Sequence, residues 1–361
     1  MSNTQKRVHI EGGSIAAITA AARLSKFKYQ VTVNGDIYQN TVIDGYSFDS
    51  GALLTLPAVY RDFFQKTGKH FGQVLDVKAM DPAFVFDFGD IQINFANLSR
   101  NARLAEIENK LGKDAADEWD SLLKQGEYLW DRIRENYVEW EFSIFRFDLN
   151  TYMRMRTPYV RNPYLFKILS HYATYLGYPA GIYKWSHILA FVEESFGIWQ
   201  VDGGIGALTT AIKDRATELG TKFESSNDYD FYIDATQVHA APEQRLLGIN
   251  NYPSALPVRT VIFNKNGLTT DIYAQEMASG KYSLVITGAL ETDKFDPFIE
   301  VDQVRPAIQG DADDQLLTNI RSANKRRFKV RHADSLSHAG ITGELLANAV
   351  RGIKNRPSHE H

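Results

Sequence analysis

The segment from Val8 to Leu24 joins a short apolar strand pattern, a glycine turn and a long run of alanine and isoleucine. This order is typical of the G-x-G-x-x-G turn that opens a dinucleotide-binding βαβ unit. In that register the three glycine positions hold Gly12, Ser14 and Ala17. Alanine is common at the third position, but the Cβ of Ser14 stands where the backbone must approach a pyrophosphate. The motif predicts a Rossmann-like α/β start whose nucleotide site is degenerate.

The end of the second predicted strand also indicates a degenerate nucleotide site. We expect this strand from Tyr29 to Val33, followed directly by Asn34 and Gly35. A dinucleotide site has an acidic residue at this position, which binds the ribose hydroxyls. Asp36 is the nearest carboxylate, and it comes one residue late.

Composition limits the classes of function. The chain has 361 residues, of which 44% are hydrophobic and 23% charged, as in an ordinary soluble protein of one large or two smaller domains. A net charge of -4 gives no general attraction to nucleic acid. The absence of cysteine excludes disulfides and thiol chemistry, and the histidines lack metal-ligand spacing, so we expect no metal. No apolar run is long enough to span a membrane, and no signal segment opens the chain, which predicts a cytoplasmic protein.

The remaining pattern predicts helices and strands in mixed order. Between residues 102 and 136 the apolar period becomes helical, which indicates a helical insert. The last helix is expected from Gly343 to Gly352, and Glu193 with Glu194 is expected to solvate a helix face. We predict a Rossmann-like domain at 1–95, 197–240 and 325–355, a substrate lobe at 96–196 and 241–324, and a disordered tail at 356–361.

Three further blocks carry a resemblance to a known family. They are the hairpin V-I-D-G-Y-S-F-D-S-G at 42–51, the block from Phe196 to Leu208 with its G-I-W-Q-V-D-G-G core, and the segment from Asp334 to Gly343. With them, the chain resembles the phytoene desaturase-like flavoproteins of carotenoid biosynthesis, within the flavin amine-oxidase superfamily. The resemblance implies a reduced version of that α/β (α+β) fold, a helical/β substrate lobe, and FAD as cofactor.

Departures from the family pattern fall in the parts that hold FAD. Only residues 34–40 separate the second strand from the hairpin, so the family's G-G-R segment is missing, and the adenine-side strand pair after Phe223 is missing too. These losses predict that FAD binding is weakened or lost. If FAD is bound, the resemblance assigns it to Gly12, Gly13, Ser14, Asp36, Asp334, Gly340 and Gly343.

The resemblance also implies a channel for a long apolar ligand, an isoprenoid or polyene. We name its aromatic residues the substrate block: Tyr172, Tyr175, Phe191, Phe196 and Trp199. The alternative is that they are core aromatics with satisfied polar tips. His338 replaces a family proline in the loop that faces the flavin ring, and it is the candidate for acid-base catalysis, with a surface histidine as the alternative.

Three functions follow from these residues. The first is a desaturase-like protein that binds or isomerises a polyene without FAD, with peripheral membrane contact or as one subunit of a homo- or hetero-oligomer. The second is a working FAD-dependent oxidoreductase of the carotenoid desaturase type, and the third is a scaffolding subunit. The basic stretch from Lys325 to Arg331 is interpreted as a solvated strand edge, with lipid-headgroup contact as its alternative.

Overall fold

The structure is a computed structural model. It describes residues 5–37, 39, 41–43, 46–48, 58–134, 155–175, 181–236, 255–264, 275–276, 281–287, 297–306, 320–324, 326–330 and 336–353. The predicted tail at 356–361 and Asp334 lie outside these residues.

Helices and strands alternate along the described chain. The helices are α1 (Ile15–Lys26), α2 (Ala58–Thr67), α3 (Arg100–Leu111), α4 (Lys113–Ile133), α5 (Pro163–Tyr175), α6 (Ser186–Phe196), α7 (Gly204–Glu218) and α8 (Leu336–Val350). The strands are β1 (Arg7–Gly13), β2 (Gln30–Ile37), β3 (Thr41–Ile43), β4 (Tyr46–Phe48), β5 (Val77–Ala79), β6 (Phe84–Asp87), β7 (Gln92–Phe95), β8 (Trp199–Val201), β9 (Phe231–Asp234), β10 (Ala255–Asn264), β11 (Gln275–Glu276), β12 (Lys281–Thr287), β13 (Pro297–Pro306), β14 (Ile320–Asn324) and β15 (Arg327–Val330). Among the described helices, none is both long and apolar enough to cross a membrane.

A five-stranded sheet has the order β14-β15-β9-β1-β2. We call this sheet, together with the helices α1, α2, α7 and α8, the nucleotide-type half. β15, β9, β1 and β2 run parallel, and β14 is antiparallel to β15. This arrangement confirms the predicted Rossmann-like α/β class. A second sheet, which is antiparallel, has the order β11-β12-β10-β13.

Helix α1 is buried from Ile15 to Ser25, on every side. One face packs on the sheet, and the opposite face packs against α2 and α7. Helix α8 crosses α1 at Gly343, where an added Cβ would stand 2.6 Å from Thr19 Cβ and 2.7 Å from Ala16 O. The alanine-rich sequence therefore serves close packing of α1 between three neighbouring layers.

A second core lies in a helical lobe made of α3 to α6 and the β6-β7 hairpin. The apolar face of α4 is buried here, and it meets Phe84, Phe86 and Phe95 from the hairpin. That face consists of Trp119, Leu122, Leu123, Leu129, Trp130 and Ile133. The helical insert predicted from periodicity is confirmed, and the hairpin that precedes it packs into the same core.

Two predicted boundaries are wrong. Strand β2 continues to Ile37 instead of ending at Val33, because Gly35 lets its backbone stay beside β1. Helix α8 begins at Leu336, seven residues before the predicted start at Gly343. His338 therefore lies in a helix and not in a loop. Glycines in this segment suggested a turn, but inside α8 they allow close helix contacts.

Candidate functional site

The turn between β1 and α1 is closed by backbone contacts. Gly12 has φ +105°, and a Cβ there would lie 2.5 Å from the carbonyl of Ala235, just after β9. A Cβ on Gly13 would lie 2.3 Å from Asp36 O, and one on Gly35 would lie 2.7 Å from Gly13 N. The glycines thus bring the carboxyl ends of β1, β2 and β9 into direct contact.

Ser14 caps the helix that follows this turn. Its backbone is extended, and its Oγ accepts a hydrogen bond from Ala17 N at 3.3 Å. A helix N-terminus offers free N–H groups and a partial positive charge to an anion. In this protein the serine hydroxyl satisfies one of those N–H groups from within the chain.

Carboxylates stand at the same edge of the sheet. Glu11 and Asp234 are opposite each other on β1 and β9. Glu11 accepts a hydrogen bond from Asn34 Nδ2 at 2.8 Å, and its other oxygen lies 3.2 Å from His9 Nε2. Like charges on adjacent strands also repel a third anion. Glu11 is not among the predicted site residues, although a charged residue in an apolar strand directly before Gly12 is a usable signal.

The residues assigned to FAD by resemblance separate into two groups. Gly12, Gly13, Ser14 and Asp36 meet at the β1-α1-β2 edge, where the Asp36 side chain is exposed. Gly340 and Gly343 lie within α8 and serve helix packing. A Cβ on Gly340 would stand 2.5 Å from Val59 Cγ1 of α2.

The described side chains of the substrate block lie around the helical lobe. Tyr172 is buried, and its hydroxyl donates to Glu193 Oε2 at 2.8 Å. Phe191 and Phe196 are partly buried against the same core, and Trp199 Nε1 donates to Phe196 O at 2.7 Å while its ring packs in the core shared by α1, α2 and α7. The side chains of Tyr175 and His338 lie outside the described residues.

A buried ion pair holds the hydroxyl of Tyr172 in place. The Arg103 guanidinium donates two hydrogen bonds to Glu193, at 2.7 and 2.6 Å, and a third to Ala96 O at 2.6 Å. The prediction that Glu193 and Glu194 solvate a helix face is wrong, because both are buried between helices. Burial and the neighbouring Glu193 carboxylate raise the pKa of Tyr172, so its hydroxyl stays protonated.

The buried histidines of this lobe are neutral at physiological pH. Burial lowers the pKa of His171 to about 3 and the pKa of His187 to about 4. Across the described ranges, no group of three or more His, Asp or Glu side chains could hold a metal ion.

Two open clefts flank the segment from Lys69 to Val77. One, of about 770 Å³, carries Asp76, Asp202, Asp214 and Glu218, and the other, of about 820 Å³, carries Arg61, Lys69 and His70. Neither lining includes a side chain of the substrate block. Lys69 and Asp76 line both clefts, and apolar residues such as Leu75 line both as well.

No protein-family model matches the chain. A 4,4'-diapolycopene oxygenase from Methylomonas sp is 24% identical over 246 residues, which is 61% of this chain and 49% of that protein. A 4,4'-diapophytoene desaturase from Staphylococcus haemolyticus is 24% identical over 251 residues, covering 61% and 48%. The chain therefore spans about half the length of the curated relatives it matches.

Solved structures share the fold. Putrescine oxidase bound to putrescine has a TM-score of 0.58 at 10% identity, covering 96% of this chain and 99% of that chain. An oxidoreductase from Methanosarcina mazei has a TM-score of 0.56 at 11% identity, covering 96% and 100%. The chain is thus similar in sequence to proteins of the carotenoid desaturase type and shares the fold of these two solved structures. At this identity the desaturase relatives and the fold agree with the resemblance found in the sequence.

The Arg103–Glu193 pair generates a stability prediction. Arg103→Met leaves a buried carboxylate without its cation, and we expect a loss of about 3–5 kcal/mol of unfolding free energy, measured by denaturant titration. Lys78→Met is the matched control, because Lys78 and its partner Asp76 are both exposed and the loss of this pair should cost about 1 kcal/mol or less. Equal costs for the two variants would contradict a structural role for the buried pair.

Proposed function

We propose that this protein binds a long isoprenoid or polyene and does so without tightly held FAD. Relatives named for 4,4'-diapolycopene and 4,4'-diapophytoene support the ligand class, since the chain aligns with them over about three fifths of its length. Three residues of the substrate block, Tyr172, Phe191 and Phe196, pack in the core of the helical lobe. The closed turn at Gly12 and Gly13 is the observation that supports the absence of tightly held FAD.

The residues at that turn do not fit a dinucleotide in the usual way. A pyrophosphate lies over the glycine turn, against free N–H groups of the following helix. Here the backbone of β2 at Asp36 stands against Gly13, Ser14 caps the helix itself, and Glu11 adds a negative charge. Each feature opposes a bound diphosphate, through space or through charge.

The chemistry open to such a protein is limited. None of its side chains accepts a hydride, so desaturation by this chain requires FAD or another oxidant. Binding alone, or double-bond migration by proton transfer, needs neither. His338 is the proposed proton-transfer residue, because an imidazole gives and takes a proton near neutral pH. Its place near the start of α8 puts its backbone two residues from the Gly340 contact with α2.

A scaffolding role receives less support. A broad exposed apolar patch on the helical insert would favour it. Among the described residues from 102 to 134, Tyr128 is the exposed large hydrophobic side chain, and the Arg132 guanidinium covers its ring at 3.7 Å.

The first test compares FAD with a C30 polyene. Excess FAD should leave the melting temperature unchanged, whereas a ligand at about a hundred times its dissociation constant adds roughly 2.7 kcal/mol. A detergent-solubilised polyene should bind with a shift in its visible absorbance. In Tyr175→Trp the larger ring should block uptake, whereas the matched control Tyr159→Trp, at an exposed position, should not.

The outcomes separate the three functions. A yellow purified protein, or a clear rise in melting temperature with FAD, would establish the FAD-dependent oxidoreductase instead. Binding of neither compound would favour the scaffold. Unchanged polyene uptake by a folded Tyr175→Trp variant would indicate that the residues of the substrate block are core aromatics and do not line a ligand channel.

The second test concerns His338. If the protein isomerises a polyene, His338→Gln should lower turnover by about 10² or more with little change in ligand affinity, since glutamine keeps polarity but cannot carry the proton. Product is followed by the absorbance of the polyene over time. Full activity in the variant would exclude His338 as the acid-base residue.

We also propose peripheral contact with a membrane, where long polyenes dissolve. Tyr159 is 82% exposed and Phe166 is 46% exposed at the start of α5, and the side chains of Arg161 and Lys167 are exposed beside them. Aromatic rings with neighbouring basic groups suit the headgroup region of an anionic bilayer.

Vesicle flotation tests this surface. The double variant Tyr159→Ser/Phe166→Ser should lose most binding to phosphatidylserine-containing vesicles, because it removes the apolar anchors. The control Phe27→Ser/Ile353→Ser removes exposed apolar groups at the nucleotide-type half and should bind as the native protein does. Native protein that never floats with vesicles would refute membrane contact, and equal loss in both variants would refute this surface.

A further inference from the structure

Glu194 is a buried carboxylate that accepts no hydrogen bond from a cation. Its side chain is 4% exposed, and its Oε2 has no hydrogen-bond partner. Its Oε1 lies 3.7 Å from Arg100 Nε, which is an ion-pair contact but too long for a hydrogen bond. A buried charge in this condition is costly, and it is relieved when the group takes up a proton.

The groups around Glu194 are already engaged with other partners. From α3, Arg103 is held by Glu193, and Arg100 is shared with Asp120 at 3.1 Å and Glu127 at 3.7 Å. The remaining groups are Lys124 of α4, which pairs with Asp120 at 2.6 Å, and Tyr172 of α5, which pairs with Glu193.

Negative charges outnumber positive charges where α3, α4 and α6 meet around Glu194. Four carboxylates, those of Asp120, Glu127, Glu193 and Glu194, face the three cations Arg100, Arg103 and Lys124. Glu194 is the carboxylate of the four that combines burial with an unpartnered oxygen. Desolvation by burial raises its pKa to about 7, despite the two arginines that oppose the shift.

We propose that Glu194 is a proton-responsive switch in the helical lobe: protonated, it lets α6 pack tightly on α3 and α4, and ionised, it loosens that packing. Because α6 also carries Glu193, which holds Tyr172, the switch acts on the lobe that carries the substrate block. The effect of the switch on ligand binding rests on the proposed function. Its effect on helix packing does not, since that effect concerns the unliganded protein.

The sign of the pH effect follows from linkage. The pKa of Glu194 is raised from 4.5 to about 7 on folding, so its favourable contribution is complete below pH 4.5 and is lost as pH rises through 7. The pKa values of His171 and His187 are lowered from 6.5 to about 3 and about 4 on folding, so both stay neutral when folded but take up protons when unfolded. Their contribution to stability therefore increases as pH rises through 6.5, with the opposite sign to that of Glu194.

The decisive experiment measures unfolding of the native chain between pH 5 and pH 8. We expect the unfolding equilibrium constant of the native protein, divided by that of Glu194→Gln at the same pH, to increase by roughly tenfold or more over this range, with the hydrogen-exchange protection of α6 falling in parallel. Glu194→Gln keeps the size of the side chain but cannot ionise, so it retains the opposing contribution of the histidines and lacks that of Glu194. Glu127→Gln is the matched control, because Glu127 contacts the same Arg100 but is exposed.

Each outcome bears on the proposal. A constant ratio of the native and Glu194→Gln unfolding constants between pH 5 and pH 8 would overturn it, and so would the same increase when Glu127→Gln is the reference. If the glutamine variant fails to fold, the carboxyl ¹³C resonance of Glu194 in the native protein decides: titration near pH 7 supports the switch, and titration near pH 4.5 overturns it. Polyene affinity that falls between pH 5 and pH 8 would then support the coupling, and constant affinity would confine the switch to packing.

Discussion

Burial of α1 on all sides is the constraint on which the nucleotide-type half depends. The helix lies between the sheet, α2, α7 and α8. The side chains on each of its faces must therefore be short enough for a neighbouring element to approach. Alanine provides these short side chains on α1. On α8, Gly343 has no side chain, and any Cβ there would meet Ala16 and Thr19. The position of α8, and of His338 within it, is therefore set by packing against α1 and α2. A substitution there disturbs the sheet and its helices together.

Glycine in the β1-α1 turn serves a different contact from the one that its motif suggests. In a dinucleotide site, the missing side chains leave room for a phosphate. Here Gly12, Gly13 and Gly35 leave room for the backbones of three strands. The motif and the structure thus agree that a close approach occurs, and they differ in what approaches. This difference is why a glycine pattern alone does not establish a cofactor.

Much of the fold could be predicted from periodicity and turn residues. The opening βαβ unit, the α4 face and the β3-β4 pairing around 44–45 follow from local signals, and the structure confirms them. The start of α8 and the end of β2 could not, because both depend on glycines whose role is set by distant chain segments. The burial of Glu193 and Glu194 was also missed. Two adjacent acids indicate a solvated face unless the partner, Arg103, ninety residues away, is known.

A fold that binds a large cofactor normally gains stability from it, in proportion to the logarithm of its concentration over its dissociation constant. If FAD is absent here, the chain must supply that contribution itself. The extension of β2 to Ile37 adds pairing with β1 at the sheet edge, and Ser14 satisfies an N–H group that a phosphate would otherwise bind. In the proposed function, loss of the cofactor and closure of its turn are one change. The residues that we propose to oppose a diphosphate also stabilise the sheet edge that it would occupy.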